Sequence, residues 1–316
     1  MSDYIEFTNE YGHRIQMSRE DYLKKVVPYN LEQYWNDREK LRQFAMELVV
    51  NKFTEQAAAA ADRLLELYGP IESAIIFRAV IHMQARQFDK AKALLQECLE
   101  RFPHSGTACV NLAKIHAFEG DAAKAFATLE EGLKRDPNSE SGLEMLIDAY
   151  MTAKRQEELL VRLEQLAGQD GAWRPQYLLG KHYLQEGNLL KAVQWYKEAI
   201  EHAPEKEAAI ISVTGELGQA GYVYQLIQIA EAYWRPEFTY PYSGLNYANA
   251  LIVTDQKEKA AEVLQAMLAH VAEQYRPMVE QLLARLPQET EVSADGRSAG
   301  DASAGEQKKT WWKFWQ

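Results

Sequence analysis

The chain has 316 residues, of which 47% are hydrophobic and 26% charged, and its formal net charge is −11. This composition supplies enough apolar side chains for one large domain or one array of repeated units. Lys and Arg do not cluster anywhere along the chain. The charge pattern therefore disfavours binding to nucleic acid, which requires grouped cations against the phosphates.

The first residues, MSDYIEFTNE, lack the basic and then apolar order of a signal peptide. No window approaches the roughly 20 apolar residues that a membrane-spanning helix needs. We therefore expect a cytoplasmic protein. Cys98 and Cys109 lie in helical patterns without a CxxC spacing, so we expect two small buried side chains in a reducing compartment.

Residues 1–37 are predicted to form a small N-terminal cap. Ile5 and Phe7 alternate on one predicted strand, NEYG supplies a turn, and Ile15 and Met17 alternate on a second strand. Ser18 then precedes Asp21 by three residues, as in a helix N-cap. A cap on the following array is favoured over an independent binding module, because the end of such an array must cover its apolar face.

Residues 38–274 repeat one pattern with a period of 34. ESAIIFRAVIHMQARQFDKAKALLQECLERFPHS is followed directly by GTACVNLAKIHAFEGDAAKAFATLEEGLKRDPNS, and WRPQYLLGKHYLQEGNLLKAVQWYKEAIEHAPEK has the same layout. Each unit contains two apolar runs at helical spacing, a polar turn and a closing Pro, and Gly120 and Gly187 lie in the turns of two of the units. The pattern predicts two helices per unit, which cross at the small residues Ala91, Ala125, Ala192 and Ala260.

NLAKIHAFEGDAAKAFATLEEGLKRDP and YLLGKHYLQEGNLLKAVQWYKEAIEHAP resemble tetratricopeptide repeats, with the small residue, Tyr, Gly, Ala and Pro of that family at its spacing. Weaker matches start near residues 38, 140, 207 and 241, which gives about seven units. The resemblance implies an all-α fold, a right-handed superhelix (α-solenoid) of helix-turn-helix units. Residues 275–287 are predicted to be a capping helix that closes the array.

The same resemblance implies that the first helix of each unit lines a concave groove. Carried over by position, the lining residues are Ile76, Phe77, Val80, Met83, Val110, Asn111, Lys114, Phe118, Glu144, Met145, Asp148, Tyr177, Leu178, Lys181, Ile211, Ser212, Leu245, Asn246 and Asn249. This mainly apolar surface is typical of a groove that binds a segment of another protein. The family's carboxylate clamp for chaperone tails is not expected, because Asn111 and Lys114 are followed in the next unit by Glu144 and Asp148.

The sequence contains no HExxH, GxxxxGK[ST] or GxSxG motif, and its seven histidines are scattered. We therefore expect no catalytic site, metal, cofactor or small-molecule substrate. His82 and His116 occupy the Tyr position of their units and are expected to pack in the core. The predicted function is a scaffold or adaptor for another protein. The alternatives are an accessory or regulatory subunit of an enzyme complex and, less favoured, an enzyme with an unrecognised site.

Residues 288–310 are polar and predict a flexible linker, which leads to the aromatic end WWKFWQ at 311–316. The tail motif comprises Lys308, Lys309, Trp311, Trp312, Lys313, Phe314 and Trp315. Trp beside Lys suits the surface of an anionic membrane, which would place the protein peripherally at its inner face. Trp is also the strongest anchor for a protein groove, on a partner or on the chain itself. The combination of Lys with Trp favours the membrane.

Overall fold

The computed structural model describes residues 4–8 and 14–286, and the side chains of all of these except residues 7 and 8. The predicted linker and aromatic tail lie outside the described residues. By internal contacts the chain divides at residue 155 into unit 1, which ends there, and unit 2, which begins at Gln156.

Unit 1 opens with the predicted hairpin, an antiparallel pair of strands β1 (Tyr4–Thr8) and β2 (Arg14–Ser18). Ile5 lies opposite Met17 and is buried, in a cluster with Tyr22 and Phe44. The predicted NEYG turn lies outside the described residues.

The Ser18 hydroxyl accepts a hydrogen bond from the Asp21 backbone N–H at 3.1 Å, which confirms the predicted N-cap. The helical segment that follows consists of α1 (Arg19–Asp21), a π-helical turn (Tyr22–Val26) and α2 (Val27–Tyr34). The hairpin and this segment bury Ile5, Tyr22 and Val27 against the first helix pair, as a cap on that pair would.

The rest of unit 1 is a succession of helices. They are α3 (Arg38–Val50), α4 (Thr54–Tyr68), α5 (Glu72–Gln84), α6 (Phe88–Arg101), α7 (Gly106–Phe118), α8 (Ala122–Arg135) and α9 (Glu140–Thr152). α3 packs on α4, α5 on α6 and α7 on α8, so the predicted helix pairs form.

Unit 2 has the same construction. Its helices are α10 (Gln156–Ala167), α11 (Trp173–Gln185), α12 (Leu189–His202), α13 (Lys206–Gln219), α14 (Val223–Tyr233), α15 (Tyr242–Val253), α16 (Lys257–Leu268) and, after a 3-10 turn (Glu273–Tyr275), α17 (Arg276–Ala284). α17 packs on α16 at the position of the predicted capping helix.

The predicted small residues lie where the paired helices cross. Ala91, Ala125, Ala192 and Ala260 are all buried. Within α11, a Cβ added to Gly180 would lie 2.5 Å from the ring of Tyr196 on α12. No real Cβ approaches another atom so closely, so the two helix backbones can come this near only because position 180 carries no side chain.

One left-handed residue recurs at a fixed position in the turns between helices. These residues are Lys52, Arg86, Gly120, Lys154, Gly187, Gly221 and Asp255, each 33 or 34 positions after the one before, with φ between 57° and 84°. Each turn also repeats one backbone hydrogen bond, for example Gln87 N–H to His82 O at 2.8 Å and Asp121 N–H to His116 O at 3.0 Å. This is the bond pattern that closes a helix C-terminus around a left-handed residue.

Replacing Arg86 by Gly should raise the free energy of unfolding by up to about 1 kcal/mol. A left-handed conformation costs a residue with a Cβ about 1–2 kcal/mol, and Gly avoids this cost. The greater conformational freedom of Gly in the unfolded chain cancels part of the gain. Gly120→Ala should lower the free energy of unfolding by about 1 kcal/mol for the same reason. A Cβ at Gly120 would meet no atom within 4 Å, so packing does not contribute to that change. Denaturant unfolding followed by circular dichroism measures both variants, and a destabilised Arg86→Gly chain would contradict the prediction.

Candidate protein-binding site

In both units the first helices of successive pairs lie side by side. α7 contacts α5 and α9 in unit 1, and α13 contacts α11 and α15 in unit 2. These are the helices that carry the residues predicted to line a groove.

A depression of 430 Å³ lies between α7 and α9. Its lining residues are Lys114, Ala117, Phe118, Ser141, Glu144, Met145 and Asp148. Five of these were predicted from sequence, and the structure brings them together from two successive repeats. The volume falls in the range of known ligand-binding clefts, about 300–1,000 Å³.

Phe118 and Met145 provide the apolar part of this depression. Phe118 is the last residue of α7, 73% exposed, and its ring stacks on that of Phe88 with centroids 5.6 Å apart. Met145 is half-buried on α9. A large aromatic side chain left this exposed is free to contact a binding partner.

Charges of both signs border the apolar part. Lys114 is half-buried, and burial lowers the pKa of its ammonium group, while the Glu144 carboxylate acts in the opposite direction. Glu144 and Asp148 are exposed on α9. The depression therefore offers a partly desolvated cation beside two carboxylates.

Tyr177 and Lys181, predicted groove residues of α11, make hydrogen bonds within unit 2. The Tyr177 hydroxyl donates to Glu216 Oε2 at 3.1 Å, and Lys181 Nζ donates to the same oxygen at 2.9 Å. The Tyr177 ring packs against Tyr196, with centroids 5.9 Å apart. Glu216 lies on α13 and was not predicted, since no sequence signal marks an acid that faces the preceding helix pair.

Four of the predicted lining residues are buried: Val110, Asn111, Leu245 and Asn246. The Asn111 side-chain amide donates to the Thr107 carbonyl oxygen at 3.0 Å, and the Asn246 amide is hydrogen-bonded to the Thr214 hydroxyl at 3.1 Å. The remaining predicted residues are half-buried: Ile76, Phe77, Val80, Met83, Leu178, Ile211, Ser212 and Asn249.

A second depression in unit 1, of 570 Å³, lies beside the N-terminal hairpin and was not predicted. Tyr22, Tyr34, Phe44 and Glu47 line it together with amide side chains, and the Tyr22 hydroxyl donates to the Glu47 carboxylate. This hydroxyl and carboxylate bind each other, and Glu6 and Lys40 add charges of both signs to the lining.

Comparison with protein families agrees with this architecture. Two tetratricopeptide repeat models match residues 82–150 and 162–207, which cover much of α5–α9 and α10–α12. The chain contains tetratricopeptide repeats in these two stretches. The family is generally a non-catalytic, protein-interaction fold, so this repeat protein has the framework of a scaffold for other proteins.

Solved repeat structures are similar to the chain at low identity. The TPR2AB domain of yeast Sti1, in a complex with pHSP90, is 18% identical over 79% of this chain and 98% of its own, with a TM-score of 0.33. PilF of Pseudomonas aeruginosa is 18% identical over 63% and 90%, with a TM-score of 0.36. Yeast Tom70 is 12% identical over 84% and 58%, with a TM-score of 0.42. No curated protein matches the chain.

The described residues of the repeat protein contain no group of three or more His, Cys, Asp or Glu that could hold a metal ion. Among the helices described, none is both long and apolar enough to cross a bilayer. His82 and His116 are buried, as expected of the Tyr position of the repeat, and so are Cys98 and Cys109. Burial raises the pKa of both thiols, which disfavours their reactive thiolate form.

Two tyrosines of unit 2 are held in the neutral form. Burial raises the pKa of Tyr196 and of Tyr177, and the Glu216 carboxylate adds to both shifts. The Tyr196 hydroxyl is buried and has no hydrogen-bond partner among the described residues. In the unfolded chain both groups ionise near pH 10.

Since the folded pKa of each tyrosine lies above the unfolded value, its contribution to stability is complete below about pH 10 and declines as the pH rises above it. The free energy of unfolding of Tyr196→Phe should therefore fall less than that of the unmodified chain between about pH 9 and about pH 11. At neutral pH the variant should be at least as stable as the unmodified chain, since phenylalanine removes a buried hydroxyl that has no hydrogen-bond partner among the described residues. Tyr224→Phe, on a side chain that is 67% exposed, is the control. An identical pH dependence in Tyr196→Phe would contradict the assignment.

Proposed function

We propose that the protein is a non-catalytic scaffold that holds a segment of a partner protein in the depression between α7 and α9. The observation that carries this proposal is the meeting of Phe118, Met145, Lys114, Glu144 and Asp148 around one depression. Each group comes from a helix held in place by the repeat, so the surface exists before a partner arrives and little ordering cost falls on the scaffold.

The chemistry of the depression describes the segment that it would bind. An apolar side chain would cover Phe118 and Met145, where burial of apolar area provides most of the affinity. A basic residue would pair with Glu144 and Asp148, and a carboxylate would pair with Lys114, whose ammonium group is partly desolvated by burial. The expected ligand is an amphipathic segment that has an apolar anchor beside charges of both signs.

The aromatic tail would localise the scaffold. Lys308, Lys309 and Lys313 would approach anionic headgroups while Trp311, Trp312 and Trp315 lie at the depth of the interface. Such a short segment binds weakly and reversibly by itself. We propose a cytoplasmic protein that reaches the inner face of the membrane only when other contacts add to the tail.

A photo-crosslinking residue placed at Met145 in the full chain should capture a defined partner in cells, and one placed at Leu190 should not. Leu190 is a matched control because it is 84% exposed on α12, the second helix of its pair. The identified partner should bind the Phe118→Ser chain at least about tenfold more weakly, since truncation of an aromatic anchor costs more than about 1.4 kcal/mol. Phe118 is exposed, so the variant should keep its helical circular dichroism. Equal capture at both positions, or unchanged affinity in Phe118→Ser, would exclude this depression as the site.

Anionic vesicles should shift the tryptophan emission of the full chain to the blue at low salt, and added salt should reverse the shift by screening the lysines. The Trp312→Ala, Trp315→Ala chain is the control, because it retains the four tryptophans outside the tail and loses two of the three within it. Vesicles of neutral lipid should give a smaller shift. No shift with excess anionic lipid would leave the tail without a membrane role.

A further inference from the structure

Three tyrosines form one cluster in unit 2. The rings of Tyr240 and Tyr242 are stacked with centroids 6.4 Å apart, and Tyr275 meets them edge-on at 6.3 Å and 6.1 Å. Tyr240 is 48% exposed and Tyr242 is 44% exposed. These tyrosines form an aromatic surface that is packed on one side and open on the other, and none of them lines the α7–α9 depression.

The backbone holds the cluster in place. Tyr242 is the first residue of α15, and Tyr275 ends the 3-10 turn before α17. Tyr240 lies in the segment between α14 and α15, and its backbone N–H donates to Glu207 Oε1 at the start of α13, at 2.5 Å. We call Tyr240, Tyr242 and Tyr275 the tyrosine patch.

Acidic residues lie close to the tyrosine patch in the chain. Glu207 bonds the Tyr240 backbone, Glu237 is exposed three residues before Tyr240, and Glu273 is 90% exposed two residues before Tyr275. Cations are as close in the chain as these acids: Arg276 is engaged by Glu273 at 3.3 Å and by the Leu268 carbonyl oxygen at 3.1 Å, Arg235 donates to the carbonyl oxygens of Ala232 and Trp234, and Lys206 is exposed beside Glu207. The patch therefore combines exposed aromatic faces with charges of both signs, and its aromatic faces suit a segment rich in aromatic rings and lysines.

We propose that the tyrosine patch binds the chain's own C-terminal segment, residues 308–315. That segment, KKTWWKFW, supplies both parts of the complementary chemistry. Its rings stack on the tyrosine faces, and its lysines lie over those faces or pair with the neighbouring glutamates. Because the patch offers flat ring faces and no shaped pocket, any of the similar aromatic side chains of the tail can stack on it.

The length of the chain permits this contact. Leu286 is the last described residue, eleven positions after Tyr275, and most of that distance is helix at about 1.5 Å per residue. The end of the described chain is thus within about 20 Å of the patch. Residues 287–307 can span up to about 70 Å when extended, several times the distance required. Because a tethered segment acts at millimolar effective concentration, even weak stacking would keep it on the patch.

Docking on the patch would withhold the tail from other targets. A tail that also binds anionic membrane, as proposed above, would then have two competing sites, and the membrane would release it from the patch. Docking itself does not depend on membrane binding, so the two proposals are measured separately.

The test uses the full chain with Gln316→Cys labelled by an environment-sensitive dye. The two native cysteines, Cys98 and Cys109, are buried, so the label goes to position 316. Without lipid, Tyr240→Ser with Tyr242→Ser should shift the dye emission to the red and lower its anisotropy. Trp312→Ala with Trp315→Ala should have the same effect. Tyr224→Ser, an exposed tyrosine of α14 in the same unit, should change neither.

Equal emission and anisotropy in the tyrosine-patch variant and the unmodified chain would overturn the proposal. Loss of the signal on serial dilution would also overturn it, because the occupant would then be the tail of a second copy. A red shift caused by Met145→Glu alone would place the tail in the α7–α9 depression instead. If the patch variant unfolds, amide hydrogen exchange decides. Residues 237–242 should exchange faster in the Trp312→Ala, Trp315→Ala chain than in the unmodified chain, and equal rates would refute docking.

Discussion

The close crossing of the two helices within each pair is the contact on which the rest of the structure depends. At Gly180 a single added Cβ would lie 2.5 Å from the Tyr196 ring, and at Gly106 it would lie 2.5 Å from Asp136 Cβ. The small side chain at each crossing brings the second helix close enough to form one face of the core, and that core orients the first helix. Since the first helices carry the candidate site, its geometry depends on residues that never contact a partner.

The turns between helices keep the same left-handed backbone conformation even where the residue is not glycine, the residue that adopts it most easily. Lys52, Arg86, Lys154 and Asp255 occupy the position that Gly120, Gly187 and Gly221 fill elsewhere. The helices on both sides, with their buried faces, hold these residues in a conformation that costs about 1–2 kcal/mol each. This is a case of tertiary packing overriding local preference, and it leaves stability that substitution could recover.

Two surfaces of different character result from this framework. The depression between α7 and α9 has a single exposed aromatic ring, a half-buried methionine and charges of both signs, so under the proposed function it would select a segment by the position of its side chains. The tyrosine patch has stacked ring faces, so in its proposed role it would select composition more than order. A scaffold with one selective surface and one permissive surface could hold a partner on the first while the second controls where its own tail is available.

The sequence alone determined the period of 34, the helix pairs, the small crossing residues and the N-terminal hairpin, because each depends on spacing along one chain segment. It also placed Lys114, Phe118, Glu144, Met145 and Asp148 on facing helices. The tertiary structure decided which predicted positions are accessible. Val110, Asn111 and Lys114 lie within about 100° of one another on α7, yet Val110 and Asn111 are buried while the longer Lys114 side chain stays half-exposed, so packing of the neighbouring helices decides which of them is accessible. Only the folded chain brings Glu216 to Tyr177, or Tyr275 to Tyr242, since these pairs are separated by 39 and 33 residues and no local pattern encodes contacts at that distance.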